Sequence, residues 1–325
     1  MNTVNTEERL ERVFATGDHC ELSLVNVRGT VKVVGWDKPE VAVVAVKRLG
    51  TYMGAQQAFE ETSVVMEQQG PVVSLRTRMA RGFNPFAWIG LGTTPPEVDY
   101  TVQAPVKSEV AVRTVSGPVQ ITDIQGSVYV RSVNGDLYLQ NITGNAMVHS
   151  VNGRFSGQEL AGNLGARTVD GAISVRGSRL ASLSARTVSG DISLESPLDP
   201  RGTYSAKSVS GSLHLFLPTD TRATIQLSST SGKAQCDLAC TVSESRRGVW
   251  RGVLNGGGAT VDFHTVSGNL LVGMAGPEEP PAMGQEAPAQ PQAAGEAPEM
   301  SVLRAVERGD LTVEDALKQL EDLMG

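Results

Sequence analysis

The sequence predicts an all-β fold, a parallel β-solenoid of two-strand coils about 18–21 residues long, followed by a small C-terminal α-helical hairpin. Three observations predict it. The first is a recurring segment, [Arg/Lys/His]-[Ser/Thr]-Val-[Ser/Asn/Asp]-Gly. It reads RTVSG at 113–117, RSVNG at 131–135, HSVNG at 149–153, RTVDG at 167–171, RTVSG at 186–190 and KSVSG at 207–211. A weaker SSTSG follows at 228–232, and HTVSG closes the series at 264–268. The terminal glycines are 18, 18, 18, 19, 21, 21 and 36 residues apart. The second observation is an apolar pair two and four residues after each glycine, as in Val119/Ile121, Leu137/Leu139, Ile173/Val175, Ile192/Leu194, Leu213/Leu215 and Leu270/Val272. Such alternation marks a half-buried strand. The third is composition: 35 glycines and only 5% aromatic residues suit a thin fold with many tight turns.

Each copy therefore reads as strand, turn, strand, turn. A single coil cannot cover its own apolar face, so copies must stack about 4.8 Å apart into parallel sheets. Another apolar column lies five residues before each glycine (Val112, Val130, Val148, Ala166, Ala185, Ala206, Leu227, Phe263). The column Thr114, Ser132, Ser150, Thr168, Thr187, Ser208, Ser229 and Thr265 has inward parity, which predicts a hydroxyl ladder beside a corner. A second glycine, at Gly126, Gly144 and Gly162, divides the regular copies.

Along the chain, residues 1–20 read as a lead segment in which ERLERVF at 8–14 is a short helix or a fray. The β-solenoid domain spans 21–272, with its regular repeats over 104–272. Residues 21–48 form an atypical first coil with Gly29 at its corner, and 62–75 and 97–103 read as further strands. A loop insertion occupies 76–96 and carries Arg81, Phe83, Phe86 and Trp88. Residues 273–300 are a linker rich in Pro, Ala and Glu. The last segment, 301–325, reads as two short helices whose interface uses Leu303 and Val306 against Leu317 and Leu320, with Gly309 ending the first. So small a hairpin needs a partner to dock on.

Charge divides along the same boundaries. Residues 104–272 carry 15 Lys/Arg against 12 Asp/Glu, a net +3, whereas 273–325 carry 3 against 11, a net −8. Opposite signs on two segments of one chain attract. Three cysteines are no disulfide framework and fit a reducing compartment. The first residues include early acids and no apolar run, and no stretch approaches the roughly 20 apolar residues of a membrane span. The expectation is a cytoplasmic protein, with the inner membrane face as the surface it would meet.

The opening VNVRGTVKVVGWD, with Gly35-Trp36-Asp37, and the serial V-[SN]-G corners resemble the bacterial "putative adhesin" β-solenoid family, whose function is unknown. That resemblance covers about 21–272. The C-terminal ERGDLTVEDALKQLE is similar to the small helical domain of LiaX-like and YvlB-like envelope-stress proteins, which also carry this β-domain. The resemblance implies a binding or scaffolding role at the envelope and supplies no catalytic residues.

The residues themselves offer three surfaces. Arg113, Arg131, His149, Arg167, Arg186, Lys207 and His264 share one position of the repeat, with Ser228 interrupting. Stacked about 4.8 Å apart in water, neighbours repel by only about 0.9 kcal/mol. Such a column must face solvent, as a stripe for an anionic polymer or membrane surface or as a solvated face. The 76–96 loop mixes arginines and aromatics, as an interfacial membrane contact would, or folds over one end of the stack as a cap. The hairpin offers a protein partner or self-association. No cofactor, metal or nucleic-acid site is expected. Cys236 and Cys240 lack further paired ligands, and Asp136 and Asp191 do not repeat as calcium-binding nonapeptides do. Asp123, Asp170 and Glu195 sit at different offsets from the corner, so no catalytic acid pair is indicated. The function predicted is non-catalytic binding or scaffolding. Self-assembly through stacked coils is the rival, and a carbohydrate-active β-helix enzyme is the more distant one.

Overall fold

Side chains alternate between the faces of a strand, so a segment such as Val112-Arg113-Thr114 must bury its first and third residues and turn its second to water. The computed structural model, which describes residues 7–51, 55–79 and 95–275, repeats that pattern in coil after coil. Val112, Val130, Val148, Ala166, Ala185 and Ala206 are buried, as are the apolar pairs after each glycine from Val119/Ile121 to Leu270/Val272, except Ala234/Cys236 in the last coil of the stack, which are half-buried. The weaker copy, Phe155/Gly157, is completed by shape: a side chain at Gly157 would meet the Phe155 ring and Leu160.

Ten coils stack in parallel register among the described residues. Numbered along the stack, coil 1 comprises strands Val72–Arg78 and Glu97–Pro105, coil 2 His19–Val25 and Val31–Trp36, and coil 3 Lys107–Ser116 and Val119–Gln125. Coil 4 comprises Val128–Asn134 and the first half of the long strand Leu137–Asn152, and coil 5 its second half and Phe155–Gln158. Coils 6, 7 and 8 follow as Ala161–Arg167 with Ile173–Arg176, Arg179–Arg186 with Ile192–Glu195, and Thr203–Lys207 with Leu213–Leu217. Coil 9 is Ala259–Thr265 with Leu270–Met274, and coil 10 is Ala223–Ser229 with Ala234–Cys236.

Chain order and stack order differ at both ends. Coil 2 precedes coil 1 in sequence but lies between coils 1 and 3. Coil 9 is the last to be made but lies between coils 8 and 10. The departures from an 18-residue spacing now have causes. The 19 comes from one extra residue, Ala181, where the ladder slips between Gly162 and Asn163. The first 21 comes from a longer turn before Thr203, held by the Tyr204 hydroxyl, which donates to Leu180 O and accepts from Asp199 N. The 36 contains an antiparallel excursion, Cys240–Arg246 and Val249–Leu254, the latter pairing with Ala223–Ser229.

The glycine column is a contact requirement. A Cβ on Gly117, Gly135, Gly153, Gly171, Gly190, Gly211, Gly268 or Gly232 would lie 1.8–2.3 Å from the carbonyl oxygen of a neighbouring glycine in the column. Through coil 5 these glycines also have positive φ, as at Gly135 (130°) and Gly153 (144°). From coil 7 onward the corner is built differently. Thr187, Ser208, Thr265 and Ser229 accept a hydrogen bond from the corner glycine three residues on, at 2.7–3.1 Å. The hydroxyl column stands in register and is buried throughout. Ser132, Thr168, Thr187, Ser229 and Thr265 donate to backbone carbonyls, while Thr114 Oγ1 and Ser150 Oγ have no hydrogen-bond partner among the described residues, so it is not the side-chain ladder expected from parity.

The coil has a third, short side that the two-strand reading lacked. Asp123, Asn141 and Glu159 adopt left-handed backbone (φ 61°, 51° and 53°), and Ile124, Ile142 and Leu160 follow them into the core. The lead segment also differs from expectation. Glu7–Ala15 is a strand, antiparallel to Glu40–Arg48, which in turn pairs with Glu97–Pro105. Leu10 and Phe14 pack on the core from one face of this strand, a spacing that a helix would share, so burial alone does not separate the two and the ladder to Glu40–Arg48 does. Ser63–Gln69 pairs antiparallel with Val72–Arg78, so these strands cover the coil 1 end. Among the described residues a single helix, Ala55–Glu61, precedes Ser63–Gln69, and the buried Lys47 ammonium donates to Phe59 O and Thr62 O. Residues 76–78 of the predicted loop belong to a strand. The rest of that loop's site, Arg81, Phe83, Phe86 and Trp88, and the hairpin residues Leu303, Val306, Leu317 and Leu320 lie outside the described residues.

Candidate functional site

Parallel register converts a sequence position into a spatial column. Arg113 lies beside Arg131, Arg131 beside His149, His149 beside Arg167, Arg167 beside Arg186, and Arg186 beside Lys207. Lys207 is followed by His264, because coil 9 occupies the slot next to coil 8. Ser228 therefore falls beyond His264, at the column's end, and does not interrupt it. Seven basic positions run without a break over six strand spacings, about 29 Å. All seven side chains are exposed or half-buried, on the outer face of the sheet whose inner face is the Val112 column.

The neighbouring outward column, two residues earlier, does not stand out in the sequence. It reads Ser23, Ala111, Tyr129, Met147, Gly165, Ser184 and Ser205 across successive coils. The Tyr129 ring lies 5.4 Å from the Arg131 guanidinium and 5.9 Å from the His149 ring. Such contacts orient a cation at about 0.5–1 kcal/mol on an exposed surface. Met147 is 49% exposed beside them. The signal was available in the outward parity of the residue two before each cation.

The acids are engaged elsewhere. Asp136 and Asp191 accept the backbone N–H of Arg154 and Ser212, each in the next coil of the stack, at 2.8 Å. Asp123 accepts from Asn141 Nδ2 at 2.7 Å, Asp170 from the Ser189 hydroxyl, and Glu195 pairs with Arg176. These carboxylates tie one coil to the next. No group of three or more His, Cys, Asp or Glu is placed to hold a metal ion among the described residues. Cys236 lies in the core column beside Val272 but is only half-buried, because coil 10 ends the stack. Burial raises its thiol to about 11, with the Leu238 carbonyl lowering it and Cys240 raising it further. No helix among the described residues is long and apolar enough to cross a membrane.

The Toastrack DUF4097 family model matches residues 99–272. No curated protein matches the chain. Among solved structures, a "putative adhesin" from Parabacteroides distasonis ATCC 8503 is 11% identical over 82% of this chain and 97% of its own, with a TM-score of 0.44. A "putative adhesin" from Bacteroides fragilis NCTC 9343 is 11% identical over the same shares, with a TM-score of 0.42. A "putative lipid binding protein" from Parabacteroides distasonis ATCC 8503 is 10% identical over 83% of this chain and 96% of its own, with a TM-score of 0.39. Likenesses this distant carry no argument about function.

Proposed function

The chain belongs to the Toastrack DUF4097 family, and from that premise we propose that it is a non-catalytic binding protein whose basic column docks on an extended anionic surface. One observation carries the reading: seven basic residues from Arg113 to His264 stand in unbroken register on a solvent face. A line of charge about 29 Å long, with the strand spacing fixed by backbone hydrogen bonds, matches a repeating anion better than a single small one. The headgroup layer of an acidic membrane is such a surface, and each Lys or Arg near it contributes about 1 kcal/mol. Asp123, Asp136 and Asp191 support a non-catalytic reading, since each is spent on a hydrogen bond between coils.

The finer reading follows the resemblance of the C-terminal segment to envelope-stress proteins. It places the protein in the cytoplasm, peripheral to the inner membrane face, as a scaffold in envelope stress. The full chain tests it by co-sedimentation with vesicles containing anionic phospholipid. Replacing Arg131, Arg167 and Arg186 together by Gln removes about 3 kcal/mol, roughly a hundredfold in apparent affinity. Unchanged sedimentation of the triple variant would reject the column as the binding surface.

A second reading, self-assembly through coil ends, rests on the strand Cys240–Arg246. Its only ladder partner among the described residues is Val249–Leu254, and Val242 is 51% exposed on it. An open strand edge is a template for another chain.

A further inference from the structure

At the coil 1 end of the basic column the outer face is indented. Ser23, Ala111 and Tyr129 are neighbours in coils 2, 3 and 4, so two small side chains adjoin a large one and leave a shallow groove of about 200 Å³. Tyr129 forms one wall, Val72 and Ala111 add apolar surface, and Glu21 and Glu109 stand along the rim. Those two carboxylates are themselves neighbours in register, about 4.8 Å apart by strand spacing. Both are exposed, and neither is in a salt bridge among the described residues. Two like charges held side by side against an aromatic wall favour a cation between them.

The groove is smaller than the roughly 300–1,000 Å³ typical of sites for drug-sized ligands, so it suits one headgroup-sized moiety. Its apolar lining favours a methylated ammonium, whose charge is spread over carbon, above a bare ammonium that must keep its water. The opposite charge lies one step away. Arg113 is two residues beyond Ala111 on the same strand, about 6.6 Å along it, and it is exposed. Arg76, two coils over, donates its Nε–H to Ser74 Oγ at 3.2 Å, folding a second guanidinium towards this face. Across one patch, acids, an aromatic wall and guanidinium groups therefore follow in order.

We propose that this groove binds the quaternary ammonium of a phosphocholine-type zwitterion, with Glu21, Glu109 and Tyr129 holding the ammonium and Arg113 receiving the phosphate. The site goes beyond the anionic-surface reading and shares only Arg113 with it. Failure of the vesicle test on Arg131, Arg167 and Arg186 leaves it standing.

Isothermal titration of the full chain with phosphocholine, choline and inorganic phosphate tests it. Phosphocholine should bind at least tenfold more tightly than either half alone. Tyr129→Ala and the pair Glu21→Gln/Glu109→Gln should each weaken it about tenfold, and Arg113→Ala should bring phosphocholine down to the level of choline. Ala111→Phe fills the groove without changing any charge and should abolish binding, with an unchanged melting temperature showing that the fold is intact. Phosphatidylcholine vesicles then identify the source. Sedimentation that free phosphocholine reverses assigns a lipid headgroup, whereas binding of free phosphocholine alone assigns a soluble or polymer-borne group. Absence of phosphocholine binding, or binding that survives Ala111→Phe, would overturn the proposal.

Discussion

Single residues set the coil through contact distances. Gly153, at φ 144°, would place a Cβ 2.2 Å from Gly135 O, so Gly153→Ala combines backbone strain with a clash between coils. It should cost more than about 2 kcal/mol in urea unfolding. Gly165→Ala, on the outer face with only the Met147 side chain at 3.6 Å, should stay within about 0.5 kcal/mol. Equal effects would mean that the ladder does not depend on missing Cβ atoms. Tyr100 is a buried counterpart. Burial raises its phenol from 10.0 to about 12, with the hydrogen bond to Thr77 lowering it. The folded state therefore holds the proton where the unfolded chain releases it. Its contribution is complete below about pH 10 and disappears as pH rises towards about 12. Tyr100→Phe should flatten the stability loss across that window, by up to about 2–3 kcal/mol in chemical denaturation. The glycine corners were legible because the residue type is itself the constraint. The left-handed corner at Asp123, Asn141 and Glu159 was not, since three different side chains occupy it and no residue type marks the turn.

Among the elements, strand existence was legible from period-two alternation, and order in the stack was not. The 36-residue interval near the end departs from the 18–21-residue spacing, but nothing local distinguishes a coil that joins its sequence neighbour from one that leaves a slot and returns. Placement depends on which edge remains open when the chain comes back. Glu7–Ala15 escapes sequence reading for a related reason. It lies on the outside of Glu40–Arg48, where charges blunt a strand edge and mask its alternation. Coil 9 supplies the test of order. It is the only link between coil 8 and coil 10 within the parallel sheets among the described residues. A chain ending at residue 257 should therefore lose hydrogen-exchange protection over 223–254 as well, while coils 3–7 keep theirs. Protection retained at 223–229 would show that coil 10 docks without its neighbour.

For the molecule as a whole, the basic column was legible as a repeat position, and its unbroken length was not. Ser228 reads as an interruption along the chain, and the fold moves that residue to the column's end. The phosphocholine groove was invisible in sequence because it needs Ser23, Ala111 and Tyr129, from three separate coils, in one row. If the column acts as a line charge, vesicle binding should weaken steeply between low and physiological salt, since exposed charges are screened over about 8 Å at roughly 0.15 M. Binding indifferent to salt would point to the apolar surface around Met147 instead. The interleaving of the two ends has a consequence for how such a protein can change length. In the middle, from coil 3 to coil 8, each turn hands over to the next, so duplicating or deleting one repeat in the gene simply adds a coil to the stack or removes one. At either end the same event would strand a partner two slots away. The ends act as fixed buckles on a belt of adjustable length, and tolerated gain or loss of repeats is confined to residues 107–217.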